Sequence, residues 1–577
     1  MIHYTFSAEQ PNSHYIDIEI LISNCKGNEL QLQLPAWRPG RYELGNFAKN
    51  IKKFEAMDVQ GNLLPFTKLS KDLWTIRTGG ASMVKAKYSY YAAEINAGSS
   101  YLDDTQLYVN PVNCCMYVPD KTLDEHIIEL KIPADYKVAG SLKKSTPFTL
   151  HAESFDELAD SPFIASADIN TFSFFAKDLP VHLHFTGECN PDTSQIITDF
   201  KKFTEHTIGF FGDVPVSEYH FLFQILPYKF YHGVEHLKST VIAIGPGYHL
   251  MHGNTYEDVL GVSCHEFFHL WNIKTIRPAA MLPYNFTGEN YARTGYVYEG
   301  FTTYYGDLLL LQSGVFTVQQ YFKTLEERLN KHFHNYGRFN LSLADSSFDT
   351  WLDGYVPGAP YRKVSIYDEG NLFAFMLDVN IMDRTDGKKS LQDVCKRMYL
   401  DLGRQKKGYQ EEDIIQFVNE VSGSDLSDLF TRYCYGTENY LPELERCAEL
   451  LGLELHQEFS GAAHETLLGF KISDGLQGKR VVHIAPQSPS YQSGLMTGDE
   501  ILAVNGKFCK MDAKEWTNYY LDKNNELCLT VLRGGELKSI AITVSEKRYF
   551  PVSFIEINKK ATERKLRFRN IWSGTQF

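Results

Sequence analysis

A chain of 577 residues is long enough for several domains, about four at ordinary domain sizes. Its 57 Lys and Arg against 71 Asp and Glu leave a formal charge of −14, which argues against general binding to nucleic acid or to an anionic membrane. No apolar run reaches the roughly 18 residues of a membrane span, and MIHYTFSAEQPNSHYIDIEI alternates like a strand where a signal peptide would carry an apolar block, so a cytoplasmic protein is expected. The ten cysteines lack repeated metal-type spacing and fit reduced, mostly buried thiols.

Residues 1–165 read as an all-β domain, with short alternating segments such as IDIEILIS, ASMVKAKYSYYA and HIIELKIP between turn clusters. Within it, Trp37, Pro39, Gly40 and Tyr42 of LPAWRPGRYELGNFAKNI make a stiff aromatic turn, expected to be a corner that packs on the next domain. Residues 166–454 open with two strand-like runs, YHFLFQIL and STVIAIGP, with PYKFYHGVEHLK between them as a turn. Longer helical patterns follow, so an α+β, thermolysin-like body with a helical C-terminal part is expected.

The first of those helices holds His265-Glu266-Phe267-Phe268-His269. Two histidines four apart lie about 40° apart around a helix, close enough to share one tetrahedral zinc. Glu266, one residue past the first ligand, is placed as general base for the attacking water. Thr255 with Asp258 suggests the N-cap. The two phenylalanines between the histidines argue for burial, and buried polar groups need partners. Cys264 points about 100° away from His265 and reads as core. A third ligand is needed, and two glutamates compete. Glu289 sits in the turn NFTGEN, whereas Glu299 enters the apolar run YVYEGFTTYYGDLLLL, where a buried carboxylate would need a cation. Glu299 is the expected ligand, with one zinc per chain.

Residues 455–547 resemble a PDZ domain, through Leu467-Leu468-Gly469-Phe470 and SPSYQSGLMTGDEILAVNG at 488–506. Such a domain captures an extended peptide end by β-addition, or serves only as packing. The last segment, 548–577, carries KKATERKLRFR, a basic tail expected to be a solvated charged face.

WRPGRY, GVEHLKST at 233–240, HEFFHLWNIKTIRP at 265–278, VYEGFTTYYGDLLLLQSG at 297–314 and IYDEGNLFAFMLDV at 366–379, followed by the PDZ pattern, recur in one order. In that order the chain resembles the glycyl aminopeptidase family of gluzincins, metallopeptidases with an N-terminal β domain, a thermolysin-like catalytic domain and a PDZ domain. The resemblance implies His265, His269 and Glu299 as zinc ligands and Glu266 as base. It further implies that Gly233 and Glu235 belong to the exopeptidase segment that holds a substrate's α-ammonium group. Tyr367 would be the phenol that donates to the oxyanion. Glu369 stands where the related segment has Lys, and His332 and His334 are the fallback oxyanion donors. The implied activity is removal of small N-terminal residues, Gly or Ala, from peptides, with a peptide C-terminus as a further PDZ partner. An endopeptidase that gathers chain ends through the PDZ domain, or a non-catalytic peptide-binding protein, are the alternatives.

Overall fold

The structure is a computed structural model that describes residues 1–356 and 358–577. The first 166 residues form a seven-stranded, a four-stranded and a three-stranded sheet around one apolar core. The alternation read in the sequence is that of half-buried strands: Ile16, Ile18, Ile20 and Ile22 of strand Tyr15–Ser23 all point inward.

A second sheet system begins at Ile169. Its strands run Ile169–Ala176, Leu179–Thr186, Tyr219–Ile225, Ser239–Gly245 and Phe230–Glu235 in spatial order. The middle three are mutually parallel, and helix Thr193–Phe211 makes the crossover between the first two of them. Strand Tyr219–Ile225, in the middle of the sheet, is buried at every position, its polar His220 and Gln224 included. Strand Phe230–Glu235 pairs antiparallel with Ser239–Gly245 at the sheet edge. The segment expected to be a turn is therefore a strand, and Gly233 and Glu235 lie on it; the turn itself is confined to the residues between Glu235 and Ser239.

Helices Gly253–Phe268, Thr302–Gln312, Val318–His334 and Asp368–Arg384 pack behind this sheet in one large core. The first starts two residues before the expected Thr255 cap, with His252 as N-cap and no side-chain cap bond. All ten cysteines are unpaired, and no helix among the described residues is long and apolar enough to cross a membrane.

Residues 466–544 hold a five-strand path flanked by helix Ala513–Leu521, around a small core of its own. The strand Leu453–Glu458 before it pairs antiparallel with Val552–Ile557 after it, so this unit hangs from the body by both ends. The basic tail does not lie in solvent. Its helix Glu563–Ser573 buries Phe568 and Trp572, whose Nε1 donates to Tyr304 Oη at 2.8 Å. Arg564 and Lys565 pair with Asp383 and Glu449. The charges the tail carries are those that match an acidic body, and the two large apolar groups between them supply the burial that a solvated reading overlooks.

Candidate active site

His265 and Glu266 occupy the last turn of helix Gly253–Phe268, and His269 follows in helical geometry as its C-cap. The two Nε2 atoms stand 3.0 Å apart. Glu299 Oε2 lies 3.7 Å from the first and 3.4 Å from the second. Glu299 sits in a π-helical turn, Tyr296–Phe301, that leads into helix Thr302–Gln312. A π-turn re-aims one residue out of the regular helical path, and such turns cluster at functional sites. The two helices approach closely because Gly306 faces His265; a Cβ there would lie 3.0 Å from His265 Cα. Glu289, by contrast, is exposed on its turn, and Cys264 is buried in the core.

The donors suit a divalent metal of the zinc type. His269 Nδ1 donates to the Asn272 carbonyl at 2.7 Å, which orients the ring with Nε2 facing the site. Asn272 is fixed in turn by donating to the Val297 carbonyl and to Thr302 Oγ1. Glu299 is 2 % exposed, and Tyr42 Oη, from the N-terminal domain, donates to its Oε1 at 3.1 Å. Burial works to raise the Glu299 carboxyl, but His269 and His265 pull it below the ordinary range. Burial disfavours charge on His269, yet Glu299, Glu235 and Glu266 raise its pKa to about 10. Burial lowers His265 to about 4. The centre thus draws positive charge toward itself, which is what a cation-binding set of two imidazoles and a carboxylate does.

Glu266 is buried, and its Oε2 has no hydrogen-bond partner. Burial holds its carboxyl well above the usual range, and the neighbouring Glu235 adds to this. Strand Phe230–Glu235 runs directly over the helix here. Gly233 is required by that approach, because a Cβ would collide with Glu266 Oε1 and Val262. Glu235 is 3 % exposed, and its Oε1 is also unpartnered. One carboxylate oxygen of Glu235, one of Glu266 and a ring nitrogen of His269 lie within 4.8 Å of one another. Glu235, expected on a turn, is thus a buried acid at the end of an edge strand.

A cleft of about 460 Å³ opens over these groups. Tyr367 lines it, and its Oη lies 3.4 Å from Tyr355 Oη, a second phenol that the sequence did not single out. Burial pushes both hydroxyls up, so both remain protonated donors at neutral pH. His332 and His334 do not line the cleft. His332 is buried against Glu369, with Nδ1 2.7 Å from Oε2, so the departure at Glu369 is a local pairing in the core. His334 contacts Lys471 and the Pro551 carbonyl, at the seam with the C-terminal domain. The aromatic corner does pack on the next domain, as Trp37 donates to the Asn285 carbonyl and stacks edge-on against Trp351. It also reaches the chemistry, since Gly40 and Arg41 line the cleft beside Glu235.

Residues 3–167 match the Peptidase M61 N-terminal domain, residues 258–373 the M61 glycyl aminopeptidase and residues 466–544 a PDZ domain. The crystal structure of an aminopeptidase N family protein from Idiomarina loihiensis superposes with a TM-score of 0.91 at 26% identity, over 99% of this chain and 100% of that one. An M1 zinc metallopeptidase from Deinococcus radiodurans gives a TM-score of 0.46 at 12% identity, over 76% of this chain and 93% of that one. No curated protein sequence matches the chain. The chain thus carries an M61 N-terminal domain, an M61 glycyl aminopeptidase domain and a PDZ domain in that order, and is a metallopeptidase.

Proposed function

We propose that the protein is a zinc-dependent aminopeptidase that removes single small residues, Gly or Ala, from peptide N-termini. The observation that carries this is the position of Glu235. Its buried, unpartnered carboxylate stands within 4.8 Å of the donor atoms of Glu266 and His269. A group that binds an α-ammonium that close to the base leaves room for one residue between the chain end and the scissile bond. The charges also balance: three buried carboxylates, Glu235, Glu266 and Glu299, face one divalent metal and one ammonium.

His265, His269 and Glu299 would hold the zinc. Bound there, it supplies a Lewis acid for the scissile carbonyl and makes water acidic enough to attack near neutral pH. Glu266 takes the proton from the attacking water and delivers it to the leaving amine. Its raised pKa and free Oε2 suit a group that must hold that proton between the two transfers. Tyr367, with Tyr355 beside it, donates to the oxyanion of the tetrahedral intermediate. Edge strand Phe230–Glu235 offers backbone groups for pairing an extended substrate, and Glu235 stops that pairing at the first residue. The preference for small residues rests on the family matched.

The test is hydrolysis of a panel of aminoacyl-amides, with chelator and after zinc is returned. Cleavage that is fastest for Gly and Ala and abolished by chelation is expected; equal rates with chelator present would exclude the reading.

A further inference from the structure

A second group of metal-type donors lies on the opposite face of the catalytic sheet. On strand Leu179–Thr186, Val181, Leu183 and Phe185 face the helices, so His182 and His184 face the other way. His220, on the next strand, pairs in register with His182, and Glu218 immediately precedes that strand. His182 Nε2 lies 3.6 Å and His220 Nε2 3.7 Å from Glu218 Oε2, and the three donor atoms fall within 4.8 Å of one another.

Those separations are too long for hydrogen bonds and close to the roughly 3.3 Å between ligands that share a tetrahedral ion at about 2.0–2.1 Å. They also parallel the catalytic set, at 3.7 and 3.4 Å. His220 is 8 % exposed, and its Nε2 has no hydrogen-bond partner. The far ring nitrogens are engaged. His182 Nδ1 lies 2.8 Å from Ser173 Oγ, and His220 Nδ1 lies 3.1 Å from His184 Nε2, whose own Nδ1 meets Thr171 Oγ1 at 3.0 Å. With the protons on the three Nδ1 atoms every one of these contacts is a hydrogen bond, and both Nε2 lone pairs face Glu218. That is how protein groups behind a metal site orient its histidines. Among the described residues Glu218 has no Lys or Arg partner; Lys144, in the same cavity, donates to the Val138 carbonyl.

We propose that His182, His220 and Glu218 form a second divalent-metal site, of the zinc type, separate from the peptidase centre. Two imidazoles and one carboxylate select a borderline ion such as Zn²⁺ over Ca²⁺ or Mg²⁺. The site opens into a cavity of about 780 Å³ shared with Lys144, His151 and Glu157 of the N-terminal domain. An ion there neutralises Glu218 and ties two neighbouring strands at the seam between the domains.

The test strips the full chain with chelator, equilibrates it with Zn²⁺ alone, and reads metal per chain together with affinity by competition with a chromophoric chelator. Two zinc per chain are expected. His182 and Glu218 are partly exposed, with side chains 25% and 45% accessible, so His182→Gln and Glu218→Gln should fold. Each should remove one zinc, or weaken it about 100-fold, and leave hydrolysis by the other centre unchanged. Ser173→Ala should weaken it about 10-fold. In the Glu299→Ala background one zinc should remain, and Glu218→Gln should remove that one. A wild-type chain holding a single zinc, or a second zinc indifferent to both His182→Gln and Glu218→Gln, overturns the proposal. Failure of the peptidase reading would register separately, as a zinc count unchanged by Glu299→Ala.

Discussion

Glu266 and Gly233 act as one unit. Glu266→Gln keeps the shape and removes the base, so the metal should stay while the rate falls by about 10²–10⁴-fold. Gly233→Ala should also keep the metal, because it touches no ligand, yet its Cβ must displace Glu266 Oε1. A drop in kcat with unchanged metal content is expected, and an active Gly233→Ala enzyme would mean that the strand can retreat. The proposed donor to the oxyanion is one of the paired phenols, and its replacement in Tyr367→Phe or Tyr355→Phe should cost about 10²–10³-fold. Single-turnover rates of the two variants identify which hydroxyl it is. The cluster of His265, His269 and Glu299 proposed to hold the metal was legible in the sequence because such a set needs rigid, buried elements, and a carboxylate in YVYEGFTTYYGDLLLL is conspicuous. Tyr355 was not, since it comes from an irregular stretch with no period to read. The burial of Glu235 was not either, because Gly40, which covers it, is 195 positions away in the chain.

Among elements, the edge strand and the C-terminal helix are held by groups distant in sequence. Asp160, from the N-terminal domain, accepts from Lys274 Nζ at 2.7 Å, His236 Nδ1 at 3.1 Å and Leu237 N at 2.9 Å. This pins the hairpin immediately beyond Glu235. Lys274 lies fully buried against Asp160 and draws its carboxyl far below the usual range, although burial opposes this. Lys274→Ala leaves a buried carboxylate without its cation and should cost about 3–5 kcal/mol of stability, read by denaturant unfolding. Near the tail helix, burial raises the Asp378 carboxyl to about 6, partly offset by donation from Tyr304 Oη and Leu391 N. The folded value lies above the unfolded one of about 3.9, so this group's contribution is complete below about pH 4 and is lost as the pH rises to 6. The stability of wild type relative to Asp378→Asn should fall by about 3 kcal/mol across that window and then level off. A flat difference would mean that Asp378 ionises as it does in the unfolded chain. Strand and helix periodicity foretold most elements, but edge strand Phe230–Glu235 carries His232 and Gly233, which broke the alternation.

At the scale of the molecule, the N-terminal domain completes the cleft and the PDZ unit hangs beside it from a two-stranded clasp. Removing everything after residue 455 would also remove Trp572, which fills a slot against Tyr304 and Tyr321. Trp572→Ala alone should therefore destabilise the body by about 3–5 kcal/mol. Excising residues 460–548 and joining the clasp strands with a short Gly linker should instead leave the rate on aminoacyl-amides near wild type and lower only that on long peptides. Equal loss on both would make the PDZ unit part of the catalytic scaffold. The sequence disclosed the PDZ unit through its loop and Gly-Asp turn, which are local, but the docking of the tail depends on two side chains that meet a distant helix.

Glu235 is proposed to anchor exopeptidase action by holding the substrate's α-ammonium group, and N-acetylation removes the charge it would hold. A free α-amino group is mostly protonated near pH 7, and in a buried site its charge needs an anion. Wild type should cleave glycyl- and alanyl-amides and leave their N-acetylated forms nearly untouched. Glu235→Ala should lower kcat/KM on the free amines by about 2–5 kcal/mol and change nothing for the acetylated ones. Equal cleavage of free and acetylated substrates by wild type would mean that Glu235 holds no ammonium group and that the enzyme is an endopeptidase.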